Sequence, residues 1–517
     1  MRKCIRVIAI CIVVFGLASL LSLYAYGRFA ERARGEPAYA LPVEPAATRL
    51  DRAIEPLTSA HPQQTGLTLI GDNVDAFAIR AATARGAGRS LDLQYYLWHD
   101  DLSGRLLMGE VLAAADRGVR VRLLLDDINA HGADAATKAL SEHPNIEVRM
   151  FNPSWARQGS IGRAFELLTR GWSLNRRMHN KAWIADGRIA IVGGRNVGDE
   201  YFDAAMQMNF LDADLAAIGP AVAQAETIFD AFWNSDAALP IEALSTRTTL
   251  HLEILRARLE SVARTGTAQP YVEHLQRTHD ARLQLFRTRP LHWSREAAIH
   301  SDPPDKTGDR GTEQWLVDAL APALGAARRE LKLISPYFVP GDAGIEWLAA
   351  TRARGVEVAV LTNSLAATDV FAVHGGYAHA RRPLLEAGVV LYELMPFGTP
   401  GGSLFGSSGA SLHTKAFMVD GETGFVGSLN FDPRSINLNT EMGVLFRSPA
   451  LTAELLRTFD EKAAAGSSYR LFLADGKLRW EDGREDPPTI LDREPEAGIW
   501  RRIGARAVGW LPVESQL

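Results

Sequence analysis

Apolar and polar positions follow three regimes along the chain. From Val7 to Tyr26 the pattern is continuous: VIAICIVVFGLASLLSLYAY is 20 residues without a charge. At ~1.5 Å per residue such a helix crosses a ~30 Å hydrocarbon core. Arg2, Lys3 and Arg6 precede the run, and Arg28, Arg32 and Arg34 follow it. Residues 1–36 therefore read as an uncleaved membrane anchor. A cleaved signal peptide is the alternative: Ala25-Tyr26-Gly27 is a passable small-x-small site, but the run is longer than a usual signal core. Residues 37–60, rich in Pro and Ala, read as a linker.

From about Gly66 the apolar spacing alternates between periods of two and about 3.6. Leu91–Trp98 predicts a strand, Gly104–Arg117 a helix, and Val119–Leu125 and Ile146–Phe151 further strands. The order then returns. Leu331–Val339 matches the first strand, Gly344–Arg354 the helix, Val356–Leu361 the next strand and Gly388–Leu394 the last. Arg117-Gly118-Val119 and Arg354-Gly355-Val356 introduce the same strand in each copy. This is one large unit repeated once, an α/β unit of parallel strands covered by helices. The predicted layout is a first domain over 61–236, a mostly helical connector over 237–300, a second domain over 301–466 and a tail over 467–517. In the tail, Trp500, Ile503, Ala507, Trp510 and Leu511 share a helical face, which suits either a membrane interface or core packing; Gly504, Gly509 and Pro512 weaken the helix.

Each copy ends in one polar signature, H-x-K-x4-D-x6-G-[GS]-x-N. It reads His179, Lys181, Asp186, Gly193-Gly194-Arg195-Asn196 in the first copy and His413, Lys415, Asp420, Gly427-Ser428-Leu429-Asn430 in the second. His and Lys two apart on a strand share a face, and Asp186-Gly187 and Asp420-Gly421 are hairpin-turn pairs. A lone histidine is usually structural, and His99 and His374 are read that way. Two copies at identical spacing are not explained by a structural hairpin.

This doubled signature resembles that of the phospholipase D superfamily, whose members pair two such motifs in one active site. The stretches LDLQYYLWHDDLSGRLL, LNRRMHNK, VGGRNVGDEYF, LTNSLAATDV, SGASLHTKAF and GSLNFDPRSINLNTEMG resemble bacterial cardiolipin synthases of the C type, over about residues 60–517. The resemblance implies two pseudo-two-fold domains with mixed sheets around a shared site. It implies a covalent phosphohistidine on one histidine, here expected to be His179, with His413 as acid and base. Lys181 and Lys415 would neutralise phosphate oxygens, with Asn196, Asn430 and Ser428 in support. Asp186 and Asp420 complete the catalytic signature, although their turn positions favour bracing the hairpins. A carboxylate orienting each histidine is expected downstream: Glu441 in the second copy and Asp212 or Asp214 in the first. No metal or cofactor is expected, and neither a cysteine cluster nor an H-E-x-x-H pattern is present.

Charge then separates substrates. The chain carries −5, and residues 1–36 contribute +4, so the body carries −9. A general polyanion binder usually carries a basic surplus. Phospholipids, with phosphatidylglycerol or phosphatidylethanolamine as donor, are thus expected as substrates at a membrane, and nucleic acid is not. Hydrolysis to phosphatidic acid and, further off, a nuclease use the same chemistry. Loss of catalysis in a membrane scaffold is disfavoured by two intact His-x-Lys pairs. The expected place is the bacterial inner membrane with the body on the periplasmic side; no motif names a helper protein. Both cysteines, Cys4 and Cys11, belong to the anchor segment.

Overall fold

The structure, a computed structural model, describes residues 2–128, 134–155, 160–244, 250–273, 290–307, 315–396 and 409–509. In the first half the strands are β1 (Thr65–Ile70), β2 (Ser90–Tyr95), β3 (Arg120–Asp126), β4 (Ile146–Phe151), β5 (Ala182–Ala185), β6 (Ile189–Gly193), β7 (Met208–Leu211), β8 (Asp214–Ile218), β9 (Ala238–Pro240) and β10 (His292–Ser294). The second half holds β11 (Ala297–Ser301), β12 (Glu330–Ile334), β13 (Glu357–Asn363), β14 (Val390–Leu394), β15 (Gly409–Leu412), β16 (Ala416–Val419), β17 (Thr423–Gly427), β18 (Met442–Arg447), β19 (Ser468–Ala474), β20 (Lys477–Asp482) and β21 (Thr489–Leu491).

The sheets run β10-β1-β8-β6-β5-β2-β3-β4-β9 and β11-β18-β17-β16-β12-β13-β14-β19-β20-β21. Matching β1 to β11, β8 to β18 and so on through β9 and β19 gives the same order twice, which is the repeat made visible. Only the three central strands of each sheet, β2-β3-β4 and β12-β13-β14, are parallel; the pairs around them are antiparallel. The sheets are mixed because the signature hairpin, β5-β6 or β16-β17, folds back beside the first parallel strand.

Between the sheets lies a core fed by both halves, with Leu124, Ile184, Val192 and Leu215 meeting Ile334, Leu361, Met418 and Val444. A separate apolar cluster fills the outer layer of each half. At ~25 cal/mol per Å² of apolar surface, burying facing sheets this way holds the halves together strongly.

Three predicted boundaries change. The linker contains a helix. Helix α1 is Arg2–Ala33 and α2 is Arg49–Ala60. Thr48 caps α2 in a capping box with Asp51, Leu50 and Ile54 are buried, and Asp51 takes Arg89 and Arg188 at 2.6 Å each. The connector is helical in its middle, at Ile241–Leu244 and Leu252–Ala263, but its described ends supply β9 and β10 as strands of the first sheet and β11 as an edge of the second. Residues 245–249 and 274–289 of it lie outside the described residues. The tail is no appendage either, since β19, β20 and β21 extend the second sheet.

Further helices are α3 (Leu102–Asp116), α4 (Ser160–Leu174), α5 (Gly341–Ala353), α6 (Phe371–Glu386) and α7 (Ile499–Gly509). In α7, Ala505 packs against Gly375 of α6, while Trp500 is 81% exposed and Ile503 48%. The predicted apolar face therefore faces outward over its described part. Trp510, Leu511 and Pro512 lie outside the described residues. Within α1, Ala9–Ala33 is long and apolar enough to cross a membrane, with a mean hydropathy of 2.2.

Candidate active site

Each histidine is held by backbone from the opposite half. The His179 N–H donates to the Thr440 carbonyl at 2.8 Å, and the Thr440 N–H donates to the Arg177 carbonyl at 2.8 Å. The His413 N–H donates to the Leu211 carbonyl at 2.8 Å, where β15 pairs with β7 in a two-stranded ribbon between the halves. Thr440 and Leu211 each precede a carboxylate residue, Glu441 and Asp212. The same register on both sides therefore brings each carboxylate to the histidine of the other half. His179 Nδ1 donates to Glu441 Oε2 at 2.8 Å, and His413 Nδ1 to Asp212 Oδ2 at 2.6 Å.

This corrects the expected pairing, in which each carboxylate served its own copy. It also selects Asp212 over Asp214. Asp214 is buried with Arg80 at 2.9 Å and Arg195 at 3.3 Å, inside the first half. The candidates stand two positions apart, between the end of β7 and the start of β8, and only the ribbon register decides which one reaches the histidine.

The lysines complete the cluster. Lys181 Nζ donates to the His179 carbonyl at 2.6 Å, and Lys415 Nζ lies 2.9 Å from His413 Nδ1 and contacts the His413 carbonyl. The spacing predicts each His-x-Lys pair within a strand, but both pairs lie just before one: β5 starts at Ala182 and β16 at Ala416. The extended entry to each strand still places both side chains of a pair together. The rings are seated by aromatics, Tyr96 edge-on to His179, and Tyr201 and Phe210 against His413.

The supporting residues differ between copies. Ser428 Oγ donates to Glu441 Oε2 at 2.5 Å and accepts from the Met442 N–H at 3.0 Å. The first copy has Gly194 there, because a Cβ would stand 2.3 Å from Asp212 Oδ1. Asn196 donates to the Tyr201 hydroxyl at 2.9 Å and Asn430 to Ser435 Oγ at 3.4 Å. Asn180, between the histidine and lysine of the first signature, bridges the halves by donating to Ser301 and accepting from Thr440, both at 2.8 Å. The residue before each histidine is pinned as well. Asp126 accepts the Met178 N–H at 2.8 Å, and Asn363 brackets Leu412 at 2.8 and 2.9 Å. Asp126 and Asn363 close equivalent strands, so the copies could have revealed them by alignment.

Asp186 and Asp420 stand apart from this cluster. Both occupy the left-handed turn conformation, with φ of 54°. Asp186 accepts backbone N–H groups from Gly88, Arg89 and Ser90, and Asp420 those of Arg328, Arg329 and Glu330. At ~3.3 Å per residue they lie roughly 15 Å along the hairpin from the lysines. They brace the hairpins, and their inclusion in the catalytic set is corrected. Asp186→Ala is expected to lower stability by about 2–4 kcal/mol, since three charge-assisted bonds to backbone N–H groups are lost. Urea unfolding measures this; an altered pH profile of turnover would contradict a purely bracing role.

Electrostatics split the two pairs. Burial, reinforced by Lys181 and Lys415, holds the His179 imidazolium well below its usual range. Burial and Lys415 also lower His413, with Asp212 opposing. Burial pushes the Glu441 carboxyl up to about 7 against the pull of Lys181. Burial would raise Asp212 too, but His413 and Lys415 keep it below the ordinary carboxylate range. Burial lowers Lys415 to about 8. His374, by contrast, is a buried core residue beside Arg381 and Glu494. Among the described residues, His99, Asp101 and Glu200 bring three ligand-type atoms within 4.8 Å, but Asp101 already caps α3 and accepts the Asp199 N–H.

Two imidazoles, two ammoniums and two carboxylates thus meet at one seam. The sequence pattern of the family described as "Cardiolipin synthase, PLD-like domain" matches residues 81–233 and 320–463, one segment in each half. The chain belongs to this family. It is 40% identical over 484 residues to cardiolipin synthase C of Escherichia coli K12, covering 90% of this chain and 99% of that protein. It is 24% identical to a cardiolipin synthase of Staphylococcus aureus, over 78% of this chain and 68% of that one. Among solved structures, a phosphatidylserine synthase of Haemophilus influenzae superposes with a TM-score of 0.55 at 13% identity, covering 90% of this chain and all of that one, a likeness of fold. As a homologue of cardiolipin synthase in the phospholipase D family, the chain is a phosphatidyltransferase.

Proposed function

We propose that this phosphatidyltransferase makes cardiolipin at a bilayer, passing a phosphatidyl group to phosphatidylglycerol from phosphatidylglycerol or phosphatidylethanolamine. The observation that carries it is the pair of crossed His–carboxylate contacts around two lysines, in a family member that matches a cardiolipin synthase over nearly its whole length. His179, kept neutral by burial and two ammoniums, attacks phosphorus through Nε2, because Nδ1–H is held by Glu441. A P–N bond forms as the P–O bond to the head group breaks, and His413 gives its proton to the departing oxygen. The ionised Asp212 favours the imidazolium that this step requires. His413, now neutral, takes the proton of the incoming lipid alcohol, whose oxygen displaces His179. Lys181 and Lys415 meet the charge on the non-bridging oxygens. The apolar α1 anchors the body at the bacterial inner membrane, on the periplasmic side.

Purified protein incubated with labelled phosphatidylglycerol, with and without phosphatidylethanolamine, is expected to yield cardiolipin. Phosphatidic acid as sole product would instead mean hydrolysis, and release of nucleotides from single-stranded DNA without lipid turnover would mean a nuclease.

The pH profile of kcat/KM should be a narrow bell. Protonation of Glu441 below about 7 removes the acceptor that exposes His179 Nε2, so activity falls on the acid side. Lys415 loses its charge above about 8, so activity falls on the alkaline side. Lys415→Arg keeps the charge at high pH, and should extend the alkaline limb; an unchanged limb would reject this assignment.

A further inference from the structure

We infer that α4, not only α1, is a membrane element, and that its outer face lies in the lipid bilayer beside the anchor. This rests on the reading of α1 as a membrane span. The two helices pack along each other. Thr169 Oγ1 meets Ser22 Oγ at 3.0 Å, and the Arg170 guanidinium stacks 3.3 Å over the Tyr26 ring. Further along, Phe165 and Leu168 of α4 and Ile10, Val14, Phe15 and Ala18 of α1 line an apolar groove of about 340 Å³. Residues Ile10 to Ala18 fall inside the charge-free run, so Phe165 and Leu168 sit at the depth of the span.

The exposure of α4 has the sense a bilayer requires. Phe165, Leu167 and Leu168 are 50, 56 and 67% exposed. Glu166 and Arg170 of the helix are turned off this face: they pair with each other with side chains at most 1% exposed, Ser154 donates to Glu166 at 2.6 Å, and Arg170 also covers Tyr26 of α1. Adjacent large apolar side chains on a surface call for a partner. Here Phe165 and Leu168 share one groove with the apolar side chains of α1, so the occupant of the patch is hydrocarbon. Trp155, 47% exposed just before α4, suits the interface.

The consequence is positional. Arg434 grips Asn175 at 2.9 Å by both its backbone and side-chain oxygens, and Asn152 holds the Ser173 and Arg176 carbonyls. His179 follows five residues after the end of α4. A helix docked in the bilayer therefore fixes how far the nucleophile stands from the lipid surface.

The test uses the full chain in phosphatidylglycerol vesicles. A bimane label on native Cys11 in Cys4→Ser protein reports α1. A label at Leu168→Cys, in Cys4→Ser and Cys11→Ser protein, reports α4, and Leu167→Cys provides a second exposed position. Quenching of the α4 labels by lipid-borne nitroxide, with shielding from aqueous iodide, is expected. Quenching by iodide would overturn the proposal, as would shielding from both quenchers, which would mean cover by a second copy or another protein. The Cys11 label separates the two readings: if it is quenched by lipid while the α4 labels are not, only the role of α4 fails. If it is not quenched by lipid, the span itself fails.

Discussion

His413→Asn is expected to react once and stop. With a phosphatidyl substrate whose leaving group departs without a proton, attack by His179 needs no acid. The variant should release one equivalent of leaving group per protein and accumulate a phosphatidylated His179. The second step needs a base to take the proton of the incoming alcohol, and the imidazole that would do so is gone. Steady turnover should fall at least ~10⁴-fold. His179→Asn should show no burst, because no nucleophile remains. A burst in His179→Asn and none in His413→Asn would reverse the two roles. Substantial steady turnover in either variant would remove the two-histidine scheme.

Asp212→Asn should copy the loss of His413, although Asp212 lies in the half that carries His179. The 2.6 Å contact from His413 Nδ1 makes Asp212 the group that supports the imidazolium of the acid. Its amide keeps the volume and removes the charge, so steady turnover should drop ~10²–10⁴-fold with the burst retained. Glu441→Gln, in the half that carries His413, should instead weaken the burst, because Glu441 holds the Nδ1–H of the nucleophile. Rapid-mix measurement of burst amplitude distinguishes the two. Loss of the burst in Asp212→Asn, with its retention in Glu441→Gln, would mean that each carboxylate serves its own half after all. Thermal unfolding of both variants controls for the buried charge each one removes.

The regular elements were largely legible because their burial is regular. Ile146–Phe151 is a strand in sequence and in structure, and Leu102–Asp116 differs from the predicted Gly104–Arg117 by two residues at one end and one at the other. What was missed has local causes. Helix α2 is short and contains Pro56, a residue that argues against a helix interior, and its stability comes from the cap at Thr48 and from burial of Leu50 and Ile54. The β19-β20 hairpin did carry a signal, the Asp475-Gly476 turn with φ of 50° and 70°.

By itself the sequence determined the repeat, the two His-x-Lys pairs and the apolar N-terminal helix, because each is written in residue type and spacing along one stretch of chain. Even the bracing role of Asp186 and Asp420 could be read from their turns. Which carboxylate serves which histidine was decided only by tertiary structure. Asp212 follows Asn196 by sixteen residues and Glu441 follows Asn430 by eleven, so spacing offers no common rule. The choice is made where β7 pairs with β15 and Thr440 with Met178, contacts between residues more than 190 positions apart. A one-residue slip in that register would turn Asp212 and Glu441 to the other face, and hydrogen bonds between the halves, rather than any local preference, hold it in place.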